Sequence, residues 1–169
     1  MNFKSKNVLD ELLFLLTKIA LILLTFALLF TFVYGAIRYP EPFMAPSVKD
    51  GDLAVFYRYN KSKYLPGDTV VLKVNGQKQA RRVVAVGGDV VDITEEGLKI
   101  NGALQQESGI YGSTRRYQEG IDFPLTVPKG QVFLLADSRE NAIDSRIYGC
   151  VETKNTLGKI MTVVRRRDI

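Results

Sequence analysis

Acid–base chemistry in this chain would fall to Lys, Tyr or carboxylate side chains. The 169 residues include no His and a single Cys, Cys150. A Ser-His-Asp triad, a Cys-His pair and an imidazole metal site are therefore excluded, and so are an internal disulfide and a Cys-rich zinc site. We expect no metal and no cofactor. A lone thiol is usually a small buried apolar side chain, so we assign Cys150 no chemical role.

The charge balance is mildly basic. The chain has 23 Lys and Arg residues against 18 Asp and Glu residues, a net charge of +5. A basic surface attracts nucleic acid, but we see no alternation of aromatic and basic side chains of the kind that nucleic-acid sites use. We expect no nucleic-acid partner.

The N-terminal stretch predicts a membrane anchor. Residues 19–37 carry no charge, and the apolar run begins at Leu12 and is interrupted only by Lys18. A transmembrane helix needs ~20 apolar residues, so we predict a short cytoplasmic end and anchor within residues 1–37, with the anchor at about 12–37. Lys4, Lys6 and Lys18 indicate a cytoplasmic N-terminus. The alternative, a cleaved signal peptide, usually has a shorter apolar run of ~7–15 residues.

Residues 38–169 predict an extracytoplasmic, mainly β domain. Short runs rich in Val, Ile, Leu and aromatic residues are punctuated by Gly, Asp, Asn or Pro, as in strands. These runs are 53–57, 69–74, 82–86, 90–93, 132–135 and 160–164. Asn101-Gly102 predicts a two-residue hairpin turn. We expect this hairpin and a loop excursion to occupy residues of about 98–127.

Four stretches follow the anchor in an order that is typical of one family. They are 43–47 (Phe-Met-Ala-Pro-Ser) with Gly51-Asp52, 66–68 (Pro-Gly-Asp), 81–89 (Arg-Arg-Val-Val-Ala-Val-Gly-Gly-Asp) and 136–146 (Ala-Asp-Ser-Arg-Glu-Asn-Ala-Ile-Asp-Ser-Arg). Together they resemble the conserved boxes of type I signal peptidases, the S26 family. The resemblance implies coiled antiparallel sheets of the signal peptidase type after one transmembrane helix. It also implies a serine endopeptidase that uses a Ser nucleophile and a neutral Lys base, and that binds its substrate as an extended peptide.

The residues that carry the family's chemistry are replaced in this chain. The resemblance puts the nucleophile position at Phe43 and the general-base position at Arg81. It puts the base-supporting Ser at Ala142 and the small, oxyanion-assisting residue at Glu41. A phenyl ring is not a nucleophile, and a guanidinium stays protonated in proteins. No catalytic residue of the family is therefore intact.

A relocated dyad is the alternative. Ser47 is the nearest hydroxyl to the nucleophile position, and Lys78 stands three residues before Arg81. An odd offset along a strand points a side chain to the opposite face, so Lys78 would need a register slip or a bulge to replace Arg81. In that case the chain would be an active signal peptidase that removes signal peptides from exported preproteins.

Other positions of the boxes match the family. We interpret them as structural, with the charged ones forming ion pairs and hydrogen bonds. They are Pro46, Arg82, Asp89, Asp137, Arg139, Asp144, Ser145 and Arg146.

The chain resembles signal-peptidase-like proteins of Gram-positive bacteria that lack the dyad and are encoded beside sortase-assembled pili. This resemblance predicts a catalytically inactive membrane protein that serves as a pilus assembly factor or chaperone. Its partners would be the membrane, a pilin or a sortase, and extended peptide segments bound by strand addition. Phe43, Met44 and Arg81 are the possible client-binding residues, although a phenyl ring next to a Met near a membrane is also explained by packing. A decoy that binds preproteins is a further hypothesis.

Overall fold

The N-terminal part of the protein is one long apolar helix. The computed structural model describes residues 7–59, 61, 63–107, 109–110 and 112–165. Helix α1 (Val8–Leu28) continues through a π-helical turn (Leu29–Val33). The most apolar stretch of 18 residues among these 26 has a mean hydropathy of 2.6, and none of the 26 side chains is buried. At ~1.5 Å per residue they are long enough to cross a bilayer. Lys4 and Lys6, on which the predicted orientation depends, lie outside the described residues.

The rest of the chain folds mainly into antiparallel strands. In chain order they are β1 (Tyr34–Arg38), β2 (Leu53–Tyr57), β3 (Thr69–Val74), β4 (Gln77–Val86), β5 (Val90–Thr94), β6 (Gly97–Ile100), β7 (Ala103–Leu104), β8 (Leu125–Thr126), β9 (Gln131–Leu135), β10 (Val151–Glu152) and β11 (Thr156–Val164). A seven-stranded sheet has the order β1-β2-β11-β3-β4-β9-β10, and a four-stranded sheet has the order β7-β6-β5-β8. The predicted fold class, antiparallel sheets preceded by one apolar helix, is confirmed.

Several local predictions agree with the structure, and others differ at their boundaries. The runs 53–57 and 69–74 coincide with β2 and β3. Asn101 and Gly102 have φ of 52° and 82°, as a type I′ hairpin turn requires. The excursion predicted at about 98–127 is part of a sheet that already begins at Val90.

The second difference concerns the predicted anchor. It extends to residue 37, whereas the helix ends at Val33 and the next residues form β1. Strand β1 buries Gly35 and Ile37 and exposes Ala36 and Arg38. This alternation has the period of a strand, and the continuous apolar run hides it in the sequence.

The junction between helix and sheet contains no loop. Strand β1 follows the π-helical turn directly and pairs with β2 over its whole length, from Tyr34 opposite Tyr57 to Arg38 opposite Leu53. Arg58, the residue after β2, holds the junction, because its backbone N–H donates to the Val33 carbonyl at 2.9 Å and its Nε donates to the Tyr34 carbonyl at 2.8 Å. The rings of Tyr34 and Tyr57 lie 5.7 Å apart across the pair.

Three apolar clusters form the core. The first packs β1, β2 and the segment after β1, and it includes Ile37, Tyr39, Met44 and Phe56. The second lies under the four-stranded sheet and includes Ile93 and Phe133, and the third lies on the other part of the large sheet. A short helix, α2 (Ser145–Tyr148), follows β9 within the last family-like box and packs against β9.

Candidate functional site

Arg81 is the centre of the site and is fully buried. It lies on β4 opposite Val70 of β3, and its side chain has no exposed surface. Its Nε and Nη2 donate to the Ile143 carbonyl at 3.0 and 2.9 Å. Its Nη1 donates to the Ala80 carbonyl at 2.6 Å and to Glu41 Oε2 at 3.1 Å. Every nitrogen of this guanidinium therefore has an acceptor, as a buried charge requires.

Glu41 and Tyr39 complete the hydrogen bonding on one side of Arg81. The Glu41 side chain is 15% exposed and forms the ion pair with Arg81. The Tyr39 hydroxyl donates to Glu41 Oε2 and accepts from Arg81 Nη1, both at 3.4 Å. Burial raises the pKa of Tyr39, so its hydroxyl stays protonated near neutral pH. The sequence interpretation missed Tyr39, which has no motif but lies two residues before Glu41.

Phe43 and Ala142 lie on the other side. The Arg81 Cζ is 5.9 Å from the centroid of the Phe43 ring, within the range of a cation–π contact. The Phe43 backbone carbonyl accepts from the Ser138 N–H at 2.8 Å, which ties this segment to the last box. Ala142 is fully buried and precedes Ile143, which accepts from Arg81. The structure thus brings together the four positions at which the sequence interpretation expects the family's catalytic groups to be replaced.

Arg81 itself cannot activate a hydroxyl as a base. A guanidinium has no acceptor atom and cannot be deprotonated near neutral pH. Phe43 and Ala142 have no titratable side chain, and Glu41 is held by Arg81. The site can bind and orient groups by charge, hydrogen bonding and apolar contact.

Arg82, the next residue on β4, belongs to a different network. Its Nε donates to Asp137 Oδ1 at 2.7 Å and its Nη2 donates to Asp137 Oδ2 at 2.6 Å, a bidentate pair. Ser47 Oγ donates to Asp137 Oδ2 at 2.6 Å and accepts from Arg82 Nη2 at 2.9 Å. Arg82 also donates to the Gly67 carbonyl at 2.7 Å, so this network joins all four family-like boxes.

The residues of the relocated dyad, Ser47 and Lys78, have other surroundings in this structure. Ser47 is engaged by Asp137 and Arg82, and no Lys is among its hydrogen-bond partners in the described part of the chain. Lys78 lies opposite Lys73 of β3 and is exposed, whereas Arg81 is buried.

The last box pairs its charges locally. Asp144 accepts from Arg146 Nε at 2.9 Å and from Arg146 Nη2 at 2.8 Å, and both side chains are buried. Asp144 also accepts from the Arg146 backbone N–H and so caps α2. Ser145 Oγ accepts from the Leu134 N–H at 3.0 Å, which fastens α2 to β9.

Arg139 finds its partner outside the family-like boxes. Its Nη2 lies 2.6 Å from Glu107 Oε1, and its Nε donates to Thr114 at 2.9 Å. Glu107 and Thr114 come from the polar stretch that the sequence interpretation treats as an excursion, and no pattern in the sequence links them to Arg139.

The other predicted residues have structural surroundings. Asp89 accepts from the Val86 N–H and from Asn101 Nδ2, both at 2.9 Å, and so fixes the turn before β5. Met44 is fully buried in the first core cluster, so the client contact expected of it does not fit its position. Cys150 is half-buried beside the second cluster, and burial raises its pKa. Within the described residues no group of three or more His, Cys, Asp or Glu side chains is placed to hold a metal ion.

A groove of about 530 Å³ lies beside the Glu41–Arg81 pair. We call it the β1–β4 groove, and its lining residues are Ala36, Ile37, Arg38, Pro40, Glu41, Gln77 and Lys78. Strand β1 is at the edge of the seven-stranded sheet. The first half of β4 pairs only with β3, because β9 joins β4 from Arg82 onward. Two strand edges with available backbone groups therefore meet at this groove.

Comparisons with known proteins find similar sequences in one family. The family model "Signal peptidase, peptidase S26" matches residues 12–165. Signal peptidase I S of Bacillus subtilis is 31% identical over 121 residues, which are 60% of this chain and 66% of that protein. A probable signal peptidase I-1 of Synechocystis is 29% identical over 151 residues, 82% of this chain and 75% of that protein. A crystal structure of a signal peptidase I from Enterococcus faecalis has 28% identity and a TM-score of 0.48, and the alignment covers 59% of this chain and 97% of that one.

The family match runs from within the apolar helix to the end of the last strand, and it includes the segments that carry Glu41, Phe43, Arg81 and Ala142. The chain therefore belongs to the signal peptidase family, peptidase S26.

Proposed function

We propose that this chain is a catalytically inactive signal-peptidase-like membrane protein that holds extended polypeptide segments without cleaving them. The observation that carries the proposal is the state of Arg81. The family resemblance puts the general base at this position, and here a permanently protonated, fully buried guanidinium is bonded to Glu41 and to the Ile143 carbonyl.

Phe43 supports the same conclusion. The resemblance puts the nucleophile here, and the side chain is an aromatic ring that lies against Arg81. The ring is half-buried, so part of its surface is available to a bound segment. Glu41, at the oxyanion-assisting position, has a negative charge that would oppose a developing oxyanion.

The β1–β4 groove supplies a binding mode that needs no reaction. An extended segment can add to the free edge of β1 or of the first half of β4 through backbone hydrogen bonds. Arg81 is buried beneath the groove and paired with Glu41, so it would act on a client through Glu41 and Phe43 and not by direct contact.

For the biological role, we propose a pilus assembly factor or chaperone that binds a pilin or a sortase. Support comes from the resemblance to dyad-lacking relatives encoded beside sortase-assembled pili. The apolar helix of residues 8–33 would keep the β domain at the outer face of the cell membrane, with the N-terminus in the cytoplasm, where membrane-linked pilin and sortase are accessible.

The first test is a cleavage assay. The full-length protein in detergent micelles is incubated with a preprotein that carries a signal peptide, and we expect no cleavage product. The variant with Glu41→Ser, Phe43→Ser, Arg81→Lys and Ala142→Ser introduces the family's groups, and we expect it to gain measurable cleavage if the groove presents peptides. Clean cleavage by the unaltered protein that disappears in Ser47→Ala would overturn the proposal in favour of an active peptidase.

The second test addresses the partner. The tagged full-length protein is used to recover pilin or sortase from solubilised membranes, and pilus polymers are compared between the parent and a deletion strain. We expect recovery of one of these partners and a loss of polymer. Normal polymers in the deletion strain would contradict the pilus role, and recovery of preproteins alone would indicate a decoy.

A further inference from the structure

The charges that line the β1–β4 groove are unequally compensated. Glu41 and Arg81 neutralise each other at 3.1 Å. Arg38 at the end of β1 and Lys78 on β4 also line the groove, and both are exposed. In the described part of the chain neither of these two cations has an ion-pair partner.

Some other cations of the β domain are neutralised by neighbours. Lys99 lies 2.7 Å from Glu96, Lys154 lies 3.0 Å from Glu152, and Lys159 lies 2.6 Å from Asp68. The groove is therefore a place where positive charge from two different strands is left facing the same space.

We propose that the β1–β4 groove selects extended polypeptide segments that carry Asp or Glu side chains, and that Arg38 and Lys78 set this preference. The inference rests on the proposed function, because it names the class of segment that the same groove holds. It makes this groove different from one that recognises only small neutral side chains.

The strand geometry explains how the two cations act. In an added strand alternate side chains point to the same face. Ala36 and Arg38 share the exposed face of β1, so a segment paired with this edge brings every second side chain past a small residue and then a guanidinium. An Asp or Glu there would form a charge-assisted hydrogen bond. A Lys or Arg in the segment would be repelled, so charge also sets the register of the bound segment.

The test uses three labelled ten-residue peptides that differ only at two positions, which are Glu, Gln or Lys in an otherwise Ala- and Thr-based extended sequence. Their affinities for the full-length protein in nanodiscs of neutral phosphatidylcholine are measured by fluorescence anisotropy. We expect the Glu peptide to bind about twofold to fivefold more tightly per engaged cation than the Gln peptide, and the Lys peptide to bind most weakly. The difference should shrink at 1 M salt, where the Debye length is ~3 Å.

Lys78→Glu and Arg38→Glu should each reduce the preference for the Glu peptide, and the double variant should reverse it. The matched control is Lys129→Glu, which makes the same charge change at an exposed Lys that does not line the groove, and it should leave the preference unchanged. Circular dichroism checks that each variant is folded.

The outcomes separate the two proposals. Equal binding of the Glu and Gln peptides would overturn the charge selection and leave peptide holding intact, whereas no binding of any peptide would overturn both. Nanodiscs that contain phosphatidylglycerol test whether the two cations act on anionic lipid and not on the peptide. If Arg38→Glu and Lys78→Glu weaken attachment to anionic lipid but do not change the peptide affinities, the cations serve the lipid surface and the inference is wrong.

Discussion

Arg81 and Arg82 are neighbours on β4, yet they belong to two regions with different hydrogen-bond partners. Arg82 joins Asp137, Ser47 and the Gly67 carbonyl, all of them within boxes that match the family. Arg81 joins Glu41, Tyr39 and the Ile143 carbonyl, in a region where four positions depart from it. The comparison teaches that two adjacent residues of one strand can belong to separate hydrogen-bond networks with different partners.

The two regions also differ in what their charges face. The Arg82 network connects one box to another, so its loss would separate segments that are distant in sequence. The Arg81 cluster lies beside the β1–β4 groove, and the Glu41 side chain retains 15% exposure to solvent. We therefore expect the first region to control stability and the second to control binding.

The largest loss of stability is expected for the Asp144–Arg146 ion pair, in which both side chains are buried. Asp144→Ala leaves Arg146, which is 2% exposed, without its carboxylate and removes the cap of α2. Breaking a buried ion pair costs about 3–5 kcal/mol. Urea unfolding of the full-length protein in micelles measures the free energy of unfolding. Asp50→Ala, at an exposed position, is the control and should change it by less than about 0.5 kcal/mol. A loss below about 1 kcal/mol for Asp144→Ala would show that this box is not a structural requirement.

The next largest loss is expected for Arg82→Met. The Asp137 side chain has no exposed surface and, among the described residues, would keep only Ser47 as a side-chain donor. The Arg82 side chain is 25% exposed, so water can partly replace it. We expect a loss of about 2–3 kcal/mol. Lys154→Met removes an ion pair whose side chains are 76% and 43% exposed, and this control should lose no more than about 1 kcal/mol. Equal losses in the two variants would contradict the structural role of Arg82.

The smallest change is expected in the Arg81 region. Arg81→Met combined with Glu41→Gln removes both charges together, and replacing both members of such a pair is often nearly neutral. We expect the free energy of unfolding to change by no more than about 1 kcal/mol, in the same urea experiment. A loss above about 3 kcal/mol would mean that the two regions are equally structural, and the comparison would fail.

Much of the fold could be predicted because its signals are local. The strands at 53–57 and 69–74 have turn residues on both sides, and Asn101-Gly102 can adopt the positive φ that a two-residue hairpin needs. Strand β1 could not be predicted, because Tyr34–Ile37 continue the apolar run of the helix. Only their pairing with β2 shows that these residues form a strand and do not continue the apolar helix.

The sequence predicted which residues form the site but not which of them contact each other. The order of the boxes assigns Phe43 and Arg81 to one place, and the structure brings them within 5.9 Å. The pairing of Arg81 with Glu41 and Tyr39 links residues about 40 positions apart, and that of Arg139 with Glu107 links residues 32 apart. Such pairs depend on how the sheets and loops pack, and no periodicity in the sequence encodes them.

Because β1 follows the helix directly, no flexible linker separates the β domain from the helix. With ~3.3 Å per strand residue, Arg38 lies within roughly 17 Å of the end of the helix, and Arg58 fastens the intervening backbone at Val33 and Tyr34. If the helix crosses the bilayer, this short connection limits how far the groove can lie above the lipid surface. A partner would then have to present its segment within that height, which favours polypeptides that are themselves tethered close to the membrane.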